Sequence, residues 1–538
     1  MGKPSPKIDP RIDLWDVASY GLIALLLVFA VAAFRDYGIS NDEDVQHRYG
    51  AMIVAYYSSG LSDRSLFEFK NLYLYGGLFD VVAVLLEKAL PFDRYLIRHL
   101  LSGLIGVAGI AATWATARLI GGPRTGFIAA AALAVCGPWI GAMFNHTKDI
   151  PFASAMMGAT YFLLRISRDL PHARWRHVLG FGLLLGAALG LRVMGLLLVG
   201  YTGIAVLLAA AWAPRHLRLE YLLRSTLRVL PAFALGYLIM IVFWPWAALS
   251  PLNPLRAIVS FADFHYQIRT IFADRIYDMA EVPWWYVPGY LAIKLPVVIL
   301  GGAIIALPFL LMRPSYFRRR KILLIAFFAA FPLACEMILE GPAFSGVRHY
   351  SFLIPPLAVL AAFGFDAALR SAPFAVMRMA AIAVVAGLFL WEGATLVRLH
   401  PYEIMHYNFL VGGLEGASRR YVMDYWLNML PEAMRDLGVY LDRIEAREGV
   451  RRTYRVGVCG EKFAFEHYAD ARMQHAWWLD ADFYISPTNM DCDRLVDGKT
   501  IVSIERFGAP IGIVKDRRGF VQSELNSLRW PKVLATQR

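Results

Sequence analysis

Long apolar runs recur along the chain and are separated by short polar segments. Runs that approach 18 residues are long enough to cross a bilayer as helices. The hydropathy pattern predicts about eleven transmembrane helices, at about 17–34, 97–119, 127–144, 151–165, 177–191, 193–213, 230–248, 290–311, 322–339, 350–367 and 376–396. Two of these spans, 151–165 and 177–191, are short for a helix that crosses alone, which takes about 17–25 residues. The pattern indicates a polytopic α-helical membrane protein.

The composition agrees with this pattern. Of the 538 residues, 58% are hydrophobic and 18% are charged, whereas soluble proteins average about 45–50% apolar and about 25% charged residues. The net charge of +12 could indicate nucleic-acid binding if it formed one face. It does not, because most basic residues lie in short loops between apolar runs. Four cysteines exclude a disulfide scaffold, and at most Cys459 and Cys492 could form a bridge.

The basic residues also predict the topology. They collect in alternate loops, at 118–124, 165–176, 215–228, 313–321 and 370–378. Since cytoplasmic loops are enriched in Lys and Arg, we expect these loops and the N-terminus in the cytoplasm. An odd number of spans then places the C-terminal tail on the outer side of the membrane.

The outer side carries most of the polar sequence. Two outer loops are long, at about 35–96 and 249–289, and they belong to a predicted membrane module over residues 1–397. The tail, residues 398–538, is expected to form a separate extracytoplasmic α/β domain. A helical pattern at 424–444 precedes four β-like runs, at 454–460, 480–486, 500–507 and 509–516.

Ionisable residues also concentrate on the outer side. Asp42, Glu43 and Asp44 follow the first span closely. One interpretation is a solvated helix start, with Ser40 or Asn41 as the N-cap and acids in the first turn. The other is a catalytic cluster. Further ionisable residues on the same side of the membrane favour this second interpretation.

Those further residues come from loops that are distant in sequence. Asp149 precedes Pro151, a residue suited to the first turn of a helix, so that a capping loop is the structural alternative. Arg192 lies in an apolar outer turn, where it could snorkel to the headgroups or bind a phosphate. The other candidates on this side are Lys70, Arg98, His99, Lys148, Arg348 and His349.

Acids and cations together at the outer membrane surface suit one chemistry in particular, glycosyl transfer from a polyprenyl-phosphate sugar. Arg, Lys or protonated His would hold the phosphate and stabilise the charge that it gains as leaving group. A carboxylate would take the proton of the acceptor hydroxyl as general base. A single displacement of this kind inverts the anomeric centre.

At these residues the sequence resembles the GT-C class of integral-membrane glycosyltransferases, specifically bacterial members of the protein O-mannosyltransferase and lipid A aminoarabinose-transferase superfamily. Asp42-Glu43 resembles the acidic motif of the family's first loop, and FNHTKDIPFA at 144–153 resembles its second acidic loop. Further similar segments are WPW (244–246), VPWWYVPGYLAIKLP (282–296), GVRHYSFLIPPLAVLAA (346–362), HPYEIMHYNFLVGGLEGA (400–417) and DYW (424–426).

The resemblance implies an enzyme that transfers a hexose or pentose from a polyprenyl-phosphate donor to a glycan, lipid or protein acceptor. It implies a multi-pass protein of the bacterial cytoplasmic (inner) membrane. Asp42 matches the base, Glu43 is its neighbour, and Asp149 matches the second acidic motif. The third acid, Asp44, departs from the family pattern and could displace the base by two positions. The tail does not resemble the sugar-binding trefoil domain of eukaryotic members, which puts a protein acceptor in doubt.

Candidate ligands for the donor phosphate are Lys70, Lys148, Arg192, Arg348 and His349. Trp284, Trp285 and His265 are candidates for acceptor or sugar contacts, although aromatic residues also form headgroup belts in any membrane protein. No cofactor is implied with certainty, but the acids could hold a divalent metal ion against the phosphate, as in the metal-dependent members of the family.

Two other functions compete with transfer. A transporter or flippase usually has internal repeats and places its charges near the bilayer midplane. This chain shows neither feature, so transport is the runner-up. A scaffold that only presents the tail would not need the combination of Asp42, Asp149 and Arg348.

Overall fold

The computed structural model describes residues 13–262, 268–311, 316–341 and 343–520. The predicted site residue His265 and part of the basic loop at 313–321 lie outside these ranges. Within them, seven helices are long and apolar enough to cross a membrane, and the number rises to nine if each of two bent helix pairs forms one span. The chain is a multi-pass membrane protein.

The first part of the chain forms a helix bundle with two short helices in the loop after the first span. Its helices are α1 (Leu14–Ala33), α2 (Glu43–Ser58), α3 (Leu78–Glu87), α4 (Arg94–Gly121), α5 (Pro123–Ala134), α6 (Gly137–Ile140), α7 (Ala142–Asn145), α8 (Asp149–Asp169) and α9 (Trp175–Leu189).

The bundle continues through the second long loop, which holds a small antiparallel hairpin. The elements are α10 (Leu197–Ala211), α11 (Arg218–Phe243), α12 (Pro245–Leu249), α13 (Asn253–Ala262), β1 (Arg269–Phe272), β2 (Arg275–Asp278), α14 (Tyr286–Lys294), α15 (Val297–Leu311), α16 (Tyr316–Leu339), α17 (Ile354–Ser371) and α18 (Ala375–Leu399).

Each of the eleven predicted spans falls on helical structure. The span at 127–144 is broken between α5 and the α6–α7 segment with a bend of 70°, and the span at 290–311 is broken between α14 and α15 with a bend of 113°. The short span at 151–165 corresponds to α8, which has 21 residues. The other short span corresponds to α9, which has only 15 residues.

Burial separates the central from the peripheral helices. In the span that contains α17, the apolar 18-residue stretch is 83% buried, and this helix packs against α15, α5 and α4. The corresponding stretch of α18 is only 11% buried, and Leu390 and Val397 are exposed on its surface. Exposed leucine and valine on a spanning helix face lipid, because the bilayer core accepts apolar surface as readily as a protein core does.

The residues after α18 form three helices and a five-stranded mixed sheet in the order β4-β3-β5-β7-β6. β3 runs parallel to β4 and β5, and β7 runs antiparallel to β5 and β6. The elements are α19 (Gly413–Ala417), α20 (Leu430–Glu448), β3 (Tyr454–Val458), α21 (Lys462–Tyr468), β4 (Met473–His475), β5 (Phe483–Pro487), β6 (Lys499–Arg506) and β7 (Ala509–Asp516).

The tail differs from the prediction at the start of its long helix. Residues 424–429 form a turn, because the Asp424 carboxylate accepts the backbone N–H groups of Asn428 and Met429, at 3.0 and 2.8 Å. Leu427 has a φ of 62° in this turn, which a helix does not allow. The four predicted β-like runs correspond to β3, β5, β6 and β7. The strand β4 was not predicted, because three residues are too short to show an alternating pattern. The tail as an independent domain stays a prediction.

The cysteine pairing that the sequence allowed is present. Cys459 and Cys492 form a disulfide that links the end of β3 to the turn after β5. Cys136 and Cys335 are free.

Candidate active site

Asp42 lies at the mouth of a polar cavity at the end of the bundle that carries the first loop. It is the residue before α2, but its side chain makes no capping hydrogen bond. Instead Arg348 donates from Nη2 to Asp42 Oδ2 at 2.5 Å. The Asp42 side chain is 38% exposed, and it lines a cavity of about 230 Å³. The alternative interpretation had Ser40 or Asn41 as the N-cap, whereas α2 begins at Glu43 and Asp42 itself occupies the cap position without capping.

Asp149 lies behind this cavity and is the buried partner of two arginines. Arg348 donates from Nε to Asp149 Oδ2 at 3.0 Å, and Arg192 donates to Asp149 Oδ1. Arg348 therefore bridges the two predicted acidic motifs. Both arginines line the cavity, with the Arg348 guanidinium between Asp42 on the wet side and Asp149 on the dry side.

Glu43 is completely buried and does not face the cavity. Its Oε1 accepts the backbone N–H of Ser40 at 2.8 Å and lies 3.1 Å from His99 Nε2. Arg98 approaches its Oε2 at 3.8 Å. Successive residues at a helix start point in different directions, so that Asp42 and Glu43 cannot share one surface. The position of Glu43 offers no support for a part in catalysis.

The third acid of the cluster, Asp44, has its own partners. It pairs with Arg48 one turn later at 2.7 Å and accepts a hydrogen bond from the Tyr95 hydroxyl at 3.3 Å. Asp44 is not among the described residues that line the cavity. The geometry thus favours Asp42 over Asp44 as the acid that meets a substrate.

Lys148 supplies a further cation to the cavity. Its ammonium lies 3.4 Å from Asp80 Oδ2 and 5.1 Å from the centre of the Tyr75 ring. Burial lowers the pKa of Lys148, while Asp80 opposes that shift. Asp80 also accepts from Arg98 Nη2 at 2.9 Å. Asp80 was not predicted; its signal is an acid within the apolar first two turns of α3, far from Glu87 at the end of the helix.

Three more predicted phosphate ligands line the same cavity, Lys70, Arg192 and His349. Lys70 is exposed at the mouth, in a turn with a φ of 52°. Arg192 also lies 5.9 Å from the Tyr75 ring, so it points inward and does not snorkel to the surface. Tyr75, Gln46 and Phe344 complete part of the wall and were not predicted, because nothing in their local pattern distinguishes them.

The predicted acceptor contacts are not brought to this cavity. Trp284 and Trp285 are exposed, and the Trp285 ring packs against Phe272 at 4.7 Å. Neither tryptophan is among the described residues of the cavity wall. Their positions fit the headgroup-belt interpretation. His265 lies outside the described residues.

The tail contacts the site through Tyr425 and Trp426. Both belong to the DYW segment, which the sequence indicated only through its similarity to a family motif. Trp426 Nε1 donates to His146 Nε2 at 2.5 Å, and the Tyr425 hydroxyl lies 2.9 Å from the same nitrogen. The Arg348 guanidinium carbon lies 4.3 Å from the centre of the Trp426 ring. Burial lowers the pKa of His146 to about 3, because it disfavours the charged imidazolium.

An apolar groove of about 460 Å³ runs along the membrane face of the bundle beside the cavity. It is bounded by α3, α4, α8 and α9, with side chains such as Phe79, Ile105, Ala155 and Leu184. Pro151 and Leu191 also line it, and they lie two residues from Asp149 and one residue from Arg192. The groove and the polar cavity are therefore neighbours at the end of the bundle.

A divalent metal ion has little to bind in this arrangement. Within residues 13–262, 268–311, 316–341 and 343–520, no group of three or more His, Cys, Asp or Glu side chains could hold one. One oxygen of Asp42 and both oxygens of Asp149 are instead engaged by arginines. The residues present do not fit a resident metal, and no step below depends on one.

Comparisons with known proteins support the resemblance. Residues 96–247 match the family described as dolichyl-phosphate-mannose-protein mannosyltransferase. ArnT from Cupriavidus metallidurans, solved with bound undecaprenyl phosphate, superposes with a TM-score of 0.50 and 14% identity, covering 92% of this chain and 97% of that one. Its apo structure gives the same TM-score at 13% identity, with 92% and 98% covered.

A weaker likeness is to the archaeal oligosaccharyltransferase AglB from Archaeoglobus fulgidus, solved with an inhibitory peptide and dolichol phosphate. Its TM-score is 0.46 at 11% identity, with 87% of this chain and 69% of that chain covered. A search of curated sequences finds no significant match. Nothing in these comparisons supports the transporter alternative. The expected resemblance is confirmed, and the chain has the fold of the GT-C membrane glycosyltransferases.

Proposed function

We propose that the protein is an inverting glycosyltransferase that moves a sugar from a polyprenyl-phosphate donor to an acceptor hydroxyl. The observation that carries the proposal is the cavity itself. A half-exposed carboxylate, Asp42, shares it with Lys148, Arg192 and Arg348, and an apolar groove adjoins it. A carboxylate can accept a proton, cations can hold a phosphate, and the groove can hold a hydrocarbon chain.

The cavity wall is rich in cations. Among the described residues that line it, Lys70, Lys148, Arg192 and Arg348 are basic and Asp42 is acidic. Asp149 behind the wall pairs with both arginines, and Glu461 lies within electrostatic reach of Lys70. The wall can therefore meet the negative charge of a donor phosphate.

Transfer requires that Arg348 releases Asp42. In this structure the guanidinium neutralises the carboxylate that would serve as base. A donor phosphate in the cavity offers Arg348 an alternative anion, because arginine forms bidentate charge-assisted bonds with phosphate as it does with carboxylate. Donor binding would thereby free Asp42 for the acceptor, so that the donor binds first.

The reaction is then a single displacement. The acceptor oxygen forms a bond to the anomeric carbon as the bond from that carbon to the phosphate oxygen breaks. The acceptor proton passes to a carboxylate oxygen of Asp42. The bonding electrons leave with the polyprenyl phosphate, whose second negative charge Arg192, Arg348 and Lys148 would stabilise. The sugar is transferred with inversion.

The apolar groove is the proposed seat of the isoprenoid chain. It is lined by the small and apolar side chains of α4, α8 and α9, from Leu191 near the cavity to Tyr161 and Ala115 deeper in the bundle. A donor whose phosphate binds Arg192 would therefore find its hydrocarbon chain directly beside the groove. The isoprenoid chain suits such a surface, because a hydrocarbon carries no polar group that would need a hydrogen-bond partner.

We place this site on the outer side of a bacterial cytoplasmic membrane. The Cys459–Cys492 disulfide supports an extracytoplasmic tail, because disulfides persist in oxidising compartments. The basic loops that contain Arg118, Arg124 and Arg370 lie at the opposite end of the bundle, which agrees with a cytoplasmic position. The acceptor, whether glycan, lipid or protein, would approach Asp42 from the outer aqueous side.

The test supplies membranes that contain the full chain, and with them candidate acceptors, with a panel of polyprenyl-phosphate sugars labelled in the sugar. We expect label to move from one donor to an acceptor hydroxyl and the product to have the inverted anomeric configuration. Movement of intact labelled lipid across the bilayer, without any transfer of sugar, would favour a flippase instead. Transfer with retention would refute Asp42 as the base of a single displacement.

A further inference from the structure

Trp426 connects the tail to two residues of the candidate active site. Its indole N–H donates to His146 Nε2 at 2.5 Å. Its ring lies against the Arg348 guanidinium at 4.3 Å. One buried side chain of the tail therefore contacts both the loop that carries Asp149 and the arginine that bridges Asp149 and Asp42.

The contact with His146 determines the tautomer of the imidazole. An indole N–H can only donate, so His146 Nε2 must accept and carries no proton. The neutral ring then has its proton on Nδ1. That nitrogen lies 3.8 Å from Asp149 Oδ2, the same oxygen that accepts from Arg348 Nε. This distance is too long for a hydrogen bond, and Nδ1 has no hydrogen-bond partner among the described residues. The imidazole therefore acts on Asp149 through its packing and the dipole of its N–H bond.

The turn that carries Trp426 is held firmly against the bundle. The Asp424 carboxylate accepts two backbone N–H groups of this turn. Asn428 Oδ1 accepts from Asn145 Nδ2, next to His146, at 2.5 Å. Gly38 packs so closely here that a Cβ would lie 2.9 Å from Asn428 Cα. The segment is therefore fixed at the very loop whose orientation matters for Asp149.

We propose that Trp426 is a positioning residue for sugar transfer, which acts through His146 and Arg348 to set the orientation of the Asp149 carboxylate. The inference rests on the proposed function. Asp149 in turn fixes Arg348, and Arg348 must sit where it can exchange Asp42 for the donor phosphate. On this account the tail completes the active site and is not merely attached beside it.

The experiment compares four variants of the full chain in detergent: Trp426→Phe, His146→Ala, their combination, and Trp477→Phe. Phenylalanine at 426 keeps a ring beneath Arg348 but removes the indole donor, which leaves the Tyr425 hydroxyl as the described donor to His146 Nε2. Trp477 is a matched control, because its indole N–H has no hydrogen-bond partner among the described residues and its ring stacks on Trp478 within the tail. The measurements are kcat, the KM for the donor, and the thermal stabilisation by undecaprenyl phosphate.

We expect kcat of Trp426→Phe to fall by about tenfold or more, since small misplacements of reacting groups can cost up to about a hundredfold. The donor KM and the stabilisation by undecaprenyl phosphate should stay within about twofold. If Trp426 acts through His146, the double variant should lose little more than His146→Ala alone, because coupled residues are not additive. Trp477→Phe should retain the parent kcat.

Three results would overturn the inference while the parent remains active. One is a kcat for Trp426→Phe equal to that of Trp477→Phe. Another is a double variant whose loss is the product of the two single losses. The third is a parallel decrease in kcat, in lipid-induced stabilisation and in thermal midpoint, which a purely structural role would produce. A parent that transfers no sugar from any donor would instead count against the proposed function.

Discussion

The two ends of the helix bundle both carry arginine–carboxylate pairs, but in different surroundings. At the basic end, Asp366 pairs with Arg124 and Arg370 at 2.6 and 2.8 Å, and Asp16 pairs with Arg118 at 2.6 Å. The side chains of Arg118 and Arg370 are 41% and 50% exposed. At the site end, Arg98 is completely buried and Arg192 is 12% exposed.

This difference changes what the pairs can do. Exposed pairs are solvated and screened, and each contributes about 0–1 kcal/mol. Dry pairs must be matched closely, because loss of one partner strands the other at a cost of about 3–5 kcal/mol. At the basic end the arginines reach solvent, although their carboxylate partners Asp16 and Asp366 are only 9% and 5% exposed. The site end is a network in which buried charges are held by their neighbours, with Asp42 and Lys70 exposed at its mouth.

The largest expected contrast is between two carboxylates, one from each end. Asp42→Asn should reduce turnover by about 10²- to 10⁴-fold, the usual contribution of a general base, with membrane insertion and thermal midpoint close to those of the parent. Asp366→Asn should leave kcat within about twofold. Single-turnover transfer with a saturating labelled donor measures both. Normal turnover by Asp42→Asn would refute its role as base.

The same contrast between the two ends is expected for substitutions of the arginines. Arg348→Ala should weaken undecaprenyl phosphate binding by about 10- to 100-fold, because a hydrogen bond to a charged group is worth about 1.5–3 kcal/mol. Acceptor KM should change much less. Arg348→Lys covers the case in which the alanine variant folds poorly, and it should also bind weakly, since lysine lacks the fork that spans Asp42 and Asp149. Arg370→Ala should bind as the parent does, and equal affinity in all variants would remove Arg348 from the phosphate site.

The sequence predicted the architecture more completely than the site. All eleven predicted spans fall on helices, but only seven to nine of the described helices are long and apolar enough to cross a membrane. Hydropathy could not predict the breaks, such as the 113° bend between α14 and α15. The tail helix was placed six residues early, since the local pattern does not reveal that Asp424 would bind the backbone of its own turn.

The sequence predicted that Asp42, Asp149 and Arg348 belong to one site, because their residue types suit the chemistry and their loops lie on the same side of the membrane. These two criteria could not separate Asp42 from Glu43, because the two acids are adjacent and only the direction of α2 divides them. The contacts of Trp426 with His146 and Arg348 join residues that are about 280 and 80 positions apart, and no local pattern could predict them.

The different surroundings of the adjacent acids Asp42 and Glu43 lead to a third prediction. Glu43→Gln should lower stability by about 1.5–3 kcal/mol, because it replaces the buried carboxylate that bonds His99 and the Ser40 N–H, whereas Arg98 keeps Asp80. The kcat of the folded fraction should stay within a few-fold of the parent. Thermal unfolding in detergent, together with kcat corrected for the active fraction, distinguishes the two effects. A Glu43→Gln variant as stable as the parent but inactive would return Glu43 to the catalytic machinery.

The smallest effect is expected where the first loop meets the start of the tail. His400 lies 2.7 Å from Glu403 and 3.1 Å from Asp36, outside the spans. The hydrogen bond to Glu403 is the main cause that raises the pKa of His400 from 6.5 to about 8. Since the folded state binds the proton more tightly, the stabilisation is complete below pH 6.5 and is lost as the pH rises through 8. It amounts to at most about 2 kcal/mol, and less with partial solvent screening. His400→Gln should therefore lower the thermal midpoint at pH 6 and have little effect at pH 9. A difference between parent and variant that does not change with pH would show that His400 contributes by packing alone.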